Sequence, residues 1–392
     1  MRADAIKDKV AIIGMGCTKF GENWDKSVED MLIEAVYEAF ADAAIEPKDI
    51  EAAWLGSVGS AFTGGTLATP LKLKNKPITR VENACATGMD ALRNACFAVA
   101  CGMYDIVLVA GVEKLKDSGY GGLPEFYFHP VYGQGFTAPG RWALIAARYF
   151  QANGIKPEDG KKALAGIAVK NHHNGTFSPK AHFQREITME QALKAPIIAW
   201  PLGLFDCCPT TDGAAAAVIC RADLAASFRD DYVLIKGFGL SIGPGLGKED
   251  IDYQYDYLPE TEAAARQAYE AAGVKNPRRE ISMAQVHDCF TIAELTEYEA
   301  LGFCERGRAV PEVEAGTFTL EGDLPVNTDG GLKAFGHPLG ATGLRMCNEL
   351  FLQLRGKAGP RQVKNPSLGL AMAQGGHPGM LMPVVTILGC RD

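Results

Sequence analysis

The stretch Val81-Glu82-Asn83-Ala84-Cys85-Ala86-Thr87-Gly88-Met89-Asp90 decides how this chain folds. Ahead of it, Ile78 to Val81 has the apolar, β-branched character of a strand; behind it, an alanine-rich run to about Ala100 repeats apolar residues at helical spacing. The same strand-then-helix grammar continues outward. Upstream lie a strand at Val10 to Gly14, a helix from about Ser27 to Ala44 with Ser27 and Asp30 spaced for a capping box, and a strand near Ala53 to Gly56. Downstream lies the apolar run Ile106 to Gly111. Such alternation predicts a mostly parallel sheet covered by helices.

From about Glu113 to Pro201 the pattern loosens into Gly, Pro, Tyr and His, with helical periods only near Arg141 to Ala152 and Pro157 to Lys170, and reads as an insertion. Core strands return at Asp212 to Cys220 and Tyr232 to Phe238. A second lobe follows: helix Glu260 to Ala272, strand Ile281 to Val286, helices Thr291 to Leu301 and Thr342 to Leu354, and strands near Ser367 to Ala373 and Met380 to Ile387. Val81 to Cys85 and Val286 to Cys289 share a strand ending in Val, a polar tip and a cysteine opening a helix, which hints at duplication. The expected division is therefore 1–230, with the insertion at about 113–201, and 231–392.

A length of 392 residues exceeds what one core usually organises, which also favours two lobes. The net charge of −8 argues against general nucleic-acid binding, since phosphate needs a basic face; Lys72, Lys74 and Lys76 read as a solvated loop or strand edge. With no 18-residue apolar span and no long apolar signal region, a cytoplasmic protein away from membranes is expected. The eleven cysteines form no Cys-x-x-Cys pair, so reduced thiols are expected. Neither a dinucleotide fingerprint after an early strand nor a phosphate-binding P-loop is present.

Four places carry chemistry. Cys85 at a helix start meets unpaired backbone N–H groups and partial positive charge, which favour thiolate and make it a candidate nucleophile. His287 and Cys289 sit where a strand gives way to a helix, an edge where α/β folds seat ligands; two such residues without further Cys or His spacing do not make a zinc site. His337 lies among the glycines and proline of Gly330-Gly331-Leu332-Lys333-Ala334-Phe335-Gly336-His337-Pro338-Leu339-Gly340-Ala341-Thr342-Gly343, a composition suited to close approach of backbone to a ligand. The loop Gln374-Gly375-Gly376-His377-Pro378-Gly379 offers N–H groups for an oxyanion, or is simply a hairpin turn.

Taken together, Cys85-Ala86-Thr87-Gly88 and Gly336 to Gly343 resemble the thiolases, and the likeness covers nearly the whole chain. His287-Asp288-Cys289-Phe290 stands where most thiolases have Asn-Glu-Ala-Phe and marks the sterol-carrier-protein type, as do Lys170-Asn171-His172-His173-Asn174 and Asp212-Gly213-Ala214-Ala215-Ala216. The second catalytic cysteine of most thiolases is missing, its loop reading Ala373-Gln374-Gly375. The resemblance implies a thiolase fold of two pseudo-symmetric βαβ-rich halves in αβαβα layers with a loop-domain insertion. It implies acyl transfer to and from coenzyme A through an acyl-Cys85, with His337 as base and Cys289 as the replacement acid/base. Oxyanions would be held by the N–H groups of Cys85 and Gly375 and by His287 and His337. No metal is expected in this chain.

A homodimer and an OB-fold, zinc-ribbon partner are expected on the same ground. The Gly-, Tyr- and Phe-rich segment Ser118 to Phe136, with Tyr253, Tyr255 and Tyr257, suggests a bulky or aromatic acyl group such as that of benzoylsuccinyl-CoA. Acetoacetyl-CoA is the competing substrate. The rival readings are a decarboxylating ketoacyl synthase, a retro-aldolase, and a non-catalytic scaffold that binds CoA esters.

Overall fold

The computed structural model describes residues 5–119, 137–245 and 253–391. The first half runs β1 (Val10–Cys17), α1 (Val28–Ala43), β2 (Ala52–Gly56), α2 (Gly65–Leu71), β3 (Ile78–Val81), α3 (Thr87–Ala100) and β4 (Ile106–Glu113). An excursion then carries α4 (Ala138–Ala152), α5 (Pro157–Gly175), α6 (Met189–Lys194) and a ribbon of β5 (Ile197–Ala199) and β6 (Leu202–Gly203). It closes with β7 (Gly213–Arg221) and the short α7 (Ala222–Ala225). The second half comprises β8 (Val233–Leu240), α8 (Pro259–Ala272), α9 (Pro277–Glu280), β9 (Met283–Gln285), α10 (Thr291–Ala300), α11 (Ala309–Glu314), α12 (Gly331–Ala334), α13 (Leu339–Leu354), β10 (Leu368–His377) and β11 (Met380–Gly389). The Ser27–Asp30 capping box starts α1 as the spacing predicts.

Nine strands share one hydrogen-bonded sheet in the order β3-β2-β4-β7-β1-β8-β11-β10-β9. Only β2–β3, β2–β4 and β9–β10 are parallel. The five pairings in between are antiparallel, so the expected mostly parallel sheet is instead mixed. The physical reason lies in the connections: β10 and β11 are joined through Pro378 and Gly379, and a link that short can only make a hairpin, whereas parallel neighbours need a crossover. The strand-then-helix alternation is real, but it does not report direction where a strand returns after a long excursion, as β7 does.

The two halves repeat one topology. In the first, β3-β2-β4-β7-β1 lie side by side; in the second, Val326, β9, β10, β11 and β8 take the same places, Val326 bridging Ala284 in parallel. This order also changes the correspondence drawn from sequence. The strand that leads to His287 matches β2, and the position that leads to His337 matches β3, the strand before Cys85. The local likeness of Val286–Cys289 to Val81–Cys85 therefore pairs strands that are not equivalent.

Helix α1 covers β1 and β7 on one outside face, and α8 covers β8 and β11 on the other. Between the half-sheets lie α3, on β2 and β4, and α13, on β10, β4 and β7, touching each other. The result is the αβαβα layering. Strands β1 and β7 are almost wholly buried, as strands covered on both faces must be. Among the described residues no helix is long and apolar enough to cross a membrane, and all eleven cysteines are unpaired thiols.

The central layer is this thin because glycines meet there. A Cβ on Gly111 would come 2.1 Å from the Gly340 carbonyl oxygen and one on Gly88 2.4 Å, while a Cβ on Gly340 would meet Val112 O at 2.6 Å and Gly56 O at 2.7 Å. Gly340 and Gly343 thus admit protein backbone and side chain, not a ligand, which corrects the sequence-based reason given for their presence. Gly111→Ala is expected to cost about 1–3 kcal/mol through overpacking, seen as a lowered melting temperature. Gly21→Ala, where an added Cβ meets nothing within 4 Å, is expected to melt like the parent.

Candidate active site

After β3 the chain turns sharply through Ala84, whose φ of 47° lies in the left-handed region, before Cys85 and the cap residue Ala86. Helix α3 begins at Thr87, so Cys85 precedes the helix and does not open it. The turn is held locally: Asn83 N–H donates to Thr87 Oγ1 (2.8 Å), Asn83 Nδ2 to Asp90 Oδ2 (2.7 Å), and Ala86 N–H to Asn83 O (3.0 Å). From the other half, Gly375 of β10 presses on this turn so closely that a Cβ there would lie 2.6 Å from Asn83 O and 2.9 Å from Cys85 N.

Electrostatics here oppose the sequence expectation. The half-buried Cys85 thiol is pushed up to about 12, first by desolvation and then by the carboxylates of Glu113 and Glu82. The resting group is a neutral thiol. The backbone N–H at Cys85 does lower the thiol in the expected sense, but desolvation and the two carboxylates outweigh it.

His287-Asp288-Cys289-Phe290 fills the turn between β9 and α10. Asp288 is structural: its carboxylate accepts the N–H groups of Leu332 (2.5 Å) and Lys333 (3.0 Å) and the Asn171 amide (2.8 Å), tying this turn to the glycine loop that precedes His337. Asn327 does the same from the loop side, its Oδ1 accepting Val286 N–H at 2.9 Å.

His337 Nδ1 lies 2.8 Å from Thr342 Oγ1, which is also 2.9 Å from Pro338 O; with the hydroxyl proton directed to that carbonyl, Nδ1 carries the ring proton and Nε2 is bare. That Nε2 is buried without a hydrogen-bond partner, as is His287 Nδ1. Burial, then the nearby Arg345, lowers His337 to about 3; burial, then His337 and Arg345, holds His287 well below its usual range. Both imidazoles are neutral near neutral pH. Their rings stand 5.0 Å apart at 86°, and the ligating atoms of Cys85, His287 and His337 all fall within 4.8 Å of one another. Three such atoms also form part of a metal-binding geometry.

Cys289 borders the same cavity, of about 430 Å³, as Cys85 and His287. Its thiol is raised well above the ordinary range by burial and then by Cys208, whose N–H donates to Cys289 O at 2.9 Å. The four predicted catalytic residues are thus brought together, with Gly375 against the nucleophile turn. What sequence reading missed is the lining: Trp142, Phe290, Met380 and Met382 give an apolar wall, and Arg80 and Arg141 reach it from two elements. Trp142 and Phe290 lie 6.1 Å apart, centroid to centroid.

Tyr253, Tyr255 and Tyr257 do not border the cavity; Tyr253 packs edge-on against Tyr255, and Arg306 lies over the Tyr257 ring. Most of the segment Ser118 to Phe136 lies outside the described residues. A second omission is Glu113, a buried carboxylate that accepts the N–H groups of Val58, Gly59, Ser60 and Gly340 at 2.8–3.1 Å. An isolated Glu at a strand end carries no sequence signal for that role.

Residues 10–223 match the family model for the thiolase N-terminal domain, and residues 248–389 the thiolase C-terminal domain-like model. Among curated relatives, an acetyl-CoA acetyltransferase of Methanothermobacter thermautotrophicus is 38% identical over 381 residues, covering 94% of this chain and 97% of its own. Human sterol carrier protein 2 is 32% identical over 392 residues, covering 92% and 69% respectively. Among solved structures, the Ltp2-ChsH2(DUF35) aldolase superposes with a TM-score of 0.86 at 28% identity, covering 98% of this chain and 99% of the other. Human mitochondrial 3-ketoacyl-CoA thiolase, with a TM-score of 0.70 at 16% identity and coverage of 98% and 99%, shares the fold. Matching both halves, with a relative of this identity along nearly its full length, the chain belongs to the thiolase family of acyltransferases.

Proposed function

We propose that the protein cleaves a β-ketoacyl-CoA with free coenzyme A, or runs the reverse condensation, through an acyl group carried on Cys85. The observation that carries this reading is the convergence of Cys85, His287 and His337 within 4.8 Å, with the His337 nitrogen left bare and neutral. A thiol next to an unprotonated imidazole is activated as it attacks, so the proton passes to His337 Nε2 while the sulfur bonds the keto carbon. The C–C bond then breaks toward the thioester side. Negative charge develops on the thioester oxygen, where the two imidazoles stabilise it, and the enolate carbon takes a proton from Cys289. Coenzyme A then attacks the acyl-Cys85, its thiol proton passing to the Cys289 thiolate; the second oxyanion, between the N–H groups of Cys85 and Gly375, collapses to the acyl-CoA, and the departing Cys85 sulfur takes back its proton from His337.

The apolar cavity wall of Trp142 and Phe290 supports a bulky or aromatic acyl group such as that of benzoylsuccinyl-CoA; acetoacetyl-CoA, favoured by the names of the archaeal relatives, is the alternative. For partners, a second copy and an OB-fold, zinc-ribbon protein are the candidates; the name of the Ltp2-ChsH2(DUF35) aldolase neighbour, which joins two components, favours a partner protein. That neighbour is named an aldolase, which makes retro-aldol cleavage the second reading; the thiol at Cys85, at the centre of the cluster, favours acyl transfer.

Incubation with acetoacetyl-CoA or an aryl β-ketoacyl-CoA is expected to add the acyl mass to Cys85, found by peptide mass spectrometry, and Cys85→Ser is expected to abolish the adduct and turnover. Adduct-free protein that still cleaves substrate points to the aldolase. Because the resting thiol is raised to about 12, its thiolate fraction near neutral pH is below that of free cysteine, for which the ordinary value is about 8.5. Iodoacetamide is accordingly expected to label Cys85 more slowly than it labels a small thiol at equal pH, with the rate climbing as pH rises; faster labelling contradicts a neutral resting state. Cys289→Ala is expected to lose exchange of acyl-CoA α-protons with deuterated solvent by at least about 100-fold while Cys85 still acylates; undiminished exchange assigns the acid/base role elsewhere.

A further inference from the structure

The pair Cys207-Cys208 has no part in the mechanism above, yet the chain lays it against the turn that carries Cys289. Three successive contacts fix the register. Asp206 Oδ1 accepts the Thr291 hydroxyl at 2.8 Å, Cys207 forms an antiparallel bridge with Phe290, and Cys208 N–H donates to Cys289 O at 2.9 Å. Asp206 is itself held, since its Oδ2 accepts Gly203 N–H at 2.6 Å and pairs with Lys161. The middle residue of each run is extended, Cys207 at φ −107° and ψ 141° and Phe290 at φ −134° and ψ 148°. An extended residue sends the side chains before and after it to one side. Asp206 and Cys208 therefore project together, as do Cys289 and Thr291. Because the Asp206 and Thr291 side chains meet, those of Cys208 and Cys289 stand on that same side, directly opposite each other.

Residues opposed and hydrogen-bonded in this way have Cα atoms about 5.5 Å apart, inside the span of about 4.4–6.8 Å that a disulfide bridges. Cys207 is excluded on two counts. Its own thiol donates to Gly203 O at 3.5 Å, within the preceding turn. Adjacent Cα atoms, about 3.8 Å apart, are also too close for a Cys207–Cys208 bond of ordinary geometry. Among the groups that act on the Cys289 thiol, Cys208 ranks first after burial, in keeping with this placement. An oxidant has access, since Cys289 borders the cavity and Cys208 is half-buried.

We propose that Cys208 is the resolving thiol of Cys289, so that hydrogen peroxide converts the pair to a disulfide and reversibly stops the acid/base step. Burial keeps both thiols neutral at rest, and a neutral thiol is a poor nucleophile. The reactive form is the Cys289 thiolate, present in small amount at rest, in rising amount toward alkaline pH and, on the mechanism above, whenever Cys289 has protonated the enolate. Its sulfur attacks one peroxide oxygen, the O–O bond breaks, and the departing hydroxide takes up a proton to leave as water. The Cys208 sulfur then displaces the hydroxyl of the Cys289 sulfenic acid, forming the S–S bond, and its proton joins that hydroxyl as the second water. Two electrons pass from the sulfurs to the peroxide, and a dithiol such as dithiothreitol returns them. Loss of the acid/base step rests on the assignment of Cys289 given above; the disulfide itself does not.

The protein is treated with stoichiometric hydrogen peroxide, its remaining thiols are blocked with iodoacetamide, and unreduced peptides are mapped by mass spectrometry, alongside α-proton exchange of an acyl-CoA in deuterated solvent. A Cys208–Cys289 cross-link is expected in the parent and in Cys207→Ser, and is expected to be absent from Cys208→Ser. In that last variant the Cys289 sulfenic acid has no resolving thiol, so dimedone is expected to trap it there and not in the parent. Oxidation of the parent is expected to cut exchange by at least about 100-fold, with recovery in dithiothreitol, while acylation of Cys85 persists as proof of a folded site. Unoxidised Cys208→Ser is expected to exchange like the parent. A cross-link from Cys289 to Cys85 or Cys207 instead, equal dimedone trapping in parent and Cys208→Ser, or recovery of Cys208 and Cys289 as free thiols overturns the proposal. If the Cys208–Cys289 bond forms and exchange continues undiminished, the disulfide stands and the assignment of Cys289 as acid/base falls, so the two failures are distinguishable.

Discussion

The contact of the Gly340 backbone with the backbones at Gly56, Gly88 and Gly111 sets every other distance in this thiolase. His337 stands just before α13 and Cys85 just before α3, so the separation of imidazole from thiol is fixed by how closely the first turns of these two helices approach. Side chains at the contact would drive the helices apart by more than a hydrogen bond tolerates. Glu113 secures the arrangement by accepting Gly340 N–H from one half and three successive N–H groups, from Val58 to Ser60, in the other. Four charge-assisted bonds to one buried carboxylate satisfy an ion that is otherwise very costly to bury.

Much of this was legible in the chain, and the limits are instructive. Cys85 and His337 announce themselves because their local sequences are odd: a cysteine between strand and helix, an imidazole among glycines. Element positions followed from apolar periodicity, which survives because each helix packs one face against a sheet. Strand direction did not, because periodicity is the same for β7 running either way. The alignment of the halves also escaped, since it is a property of strand order, in which the false match and the true one lie side by side.

Charge state was the least legible feature of all. A helix start argued for a thiolate at Cys85, yet desolvation and two carboxylates reverse the sign, and none of those neighbours is adjacent in sequence except Glu82. The same holds for Trp142 and Phe290, which meet across the cavity from α4 and the β9–α10 turn. Non-local neighbours decide both. Asp288, by contrast, carried no expectation of its own, and its three hydrogen bonds tie the His287–Cys289 turn to the loop before His337.

The duplicated strand order has a consequence for how the chain comes into being. In the proposed mechanism nucleophile and base come from opposite halves, so a growing polypeptide that has shaped only its amino-terminal portion holds the thiol with no imidazole to rouse it. On that mechanism an unfinished molecule does not turn over CoA esters, and reactivity arrives as the last act of assembly.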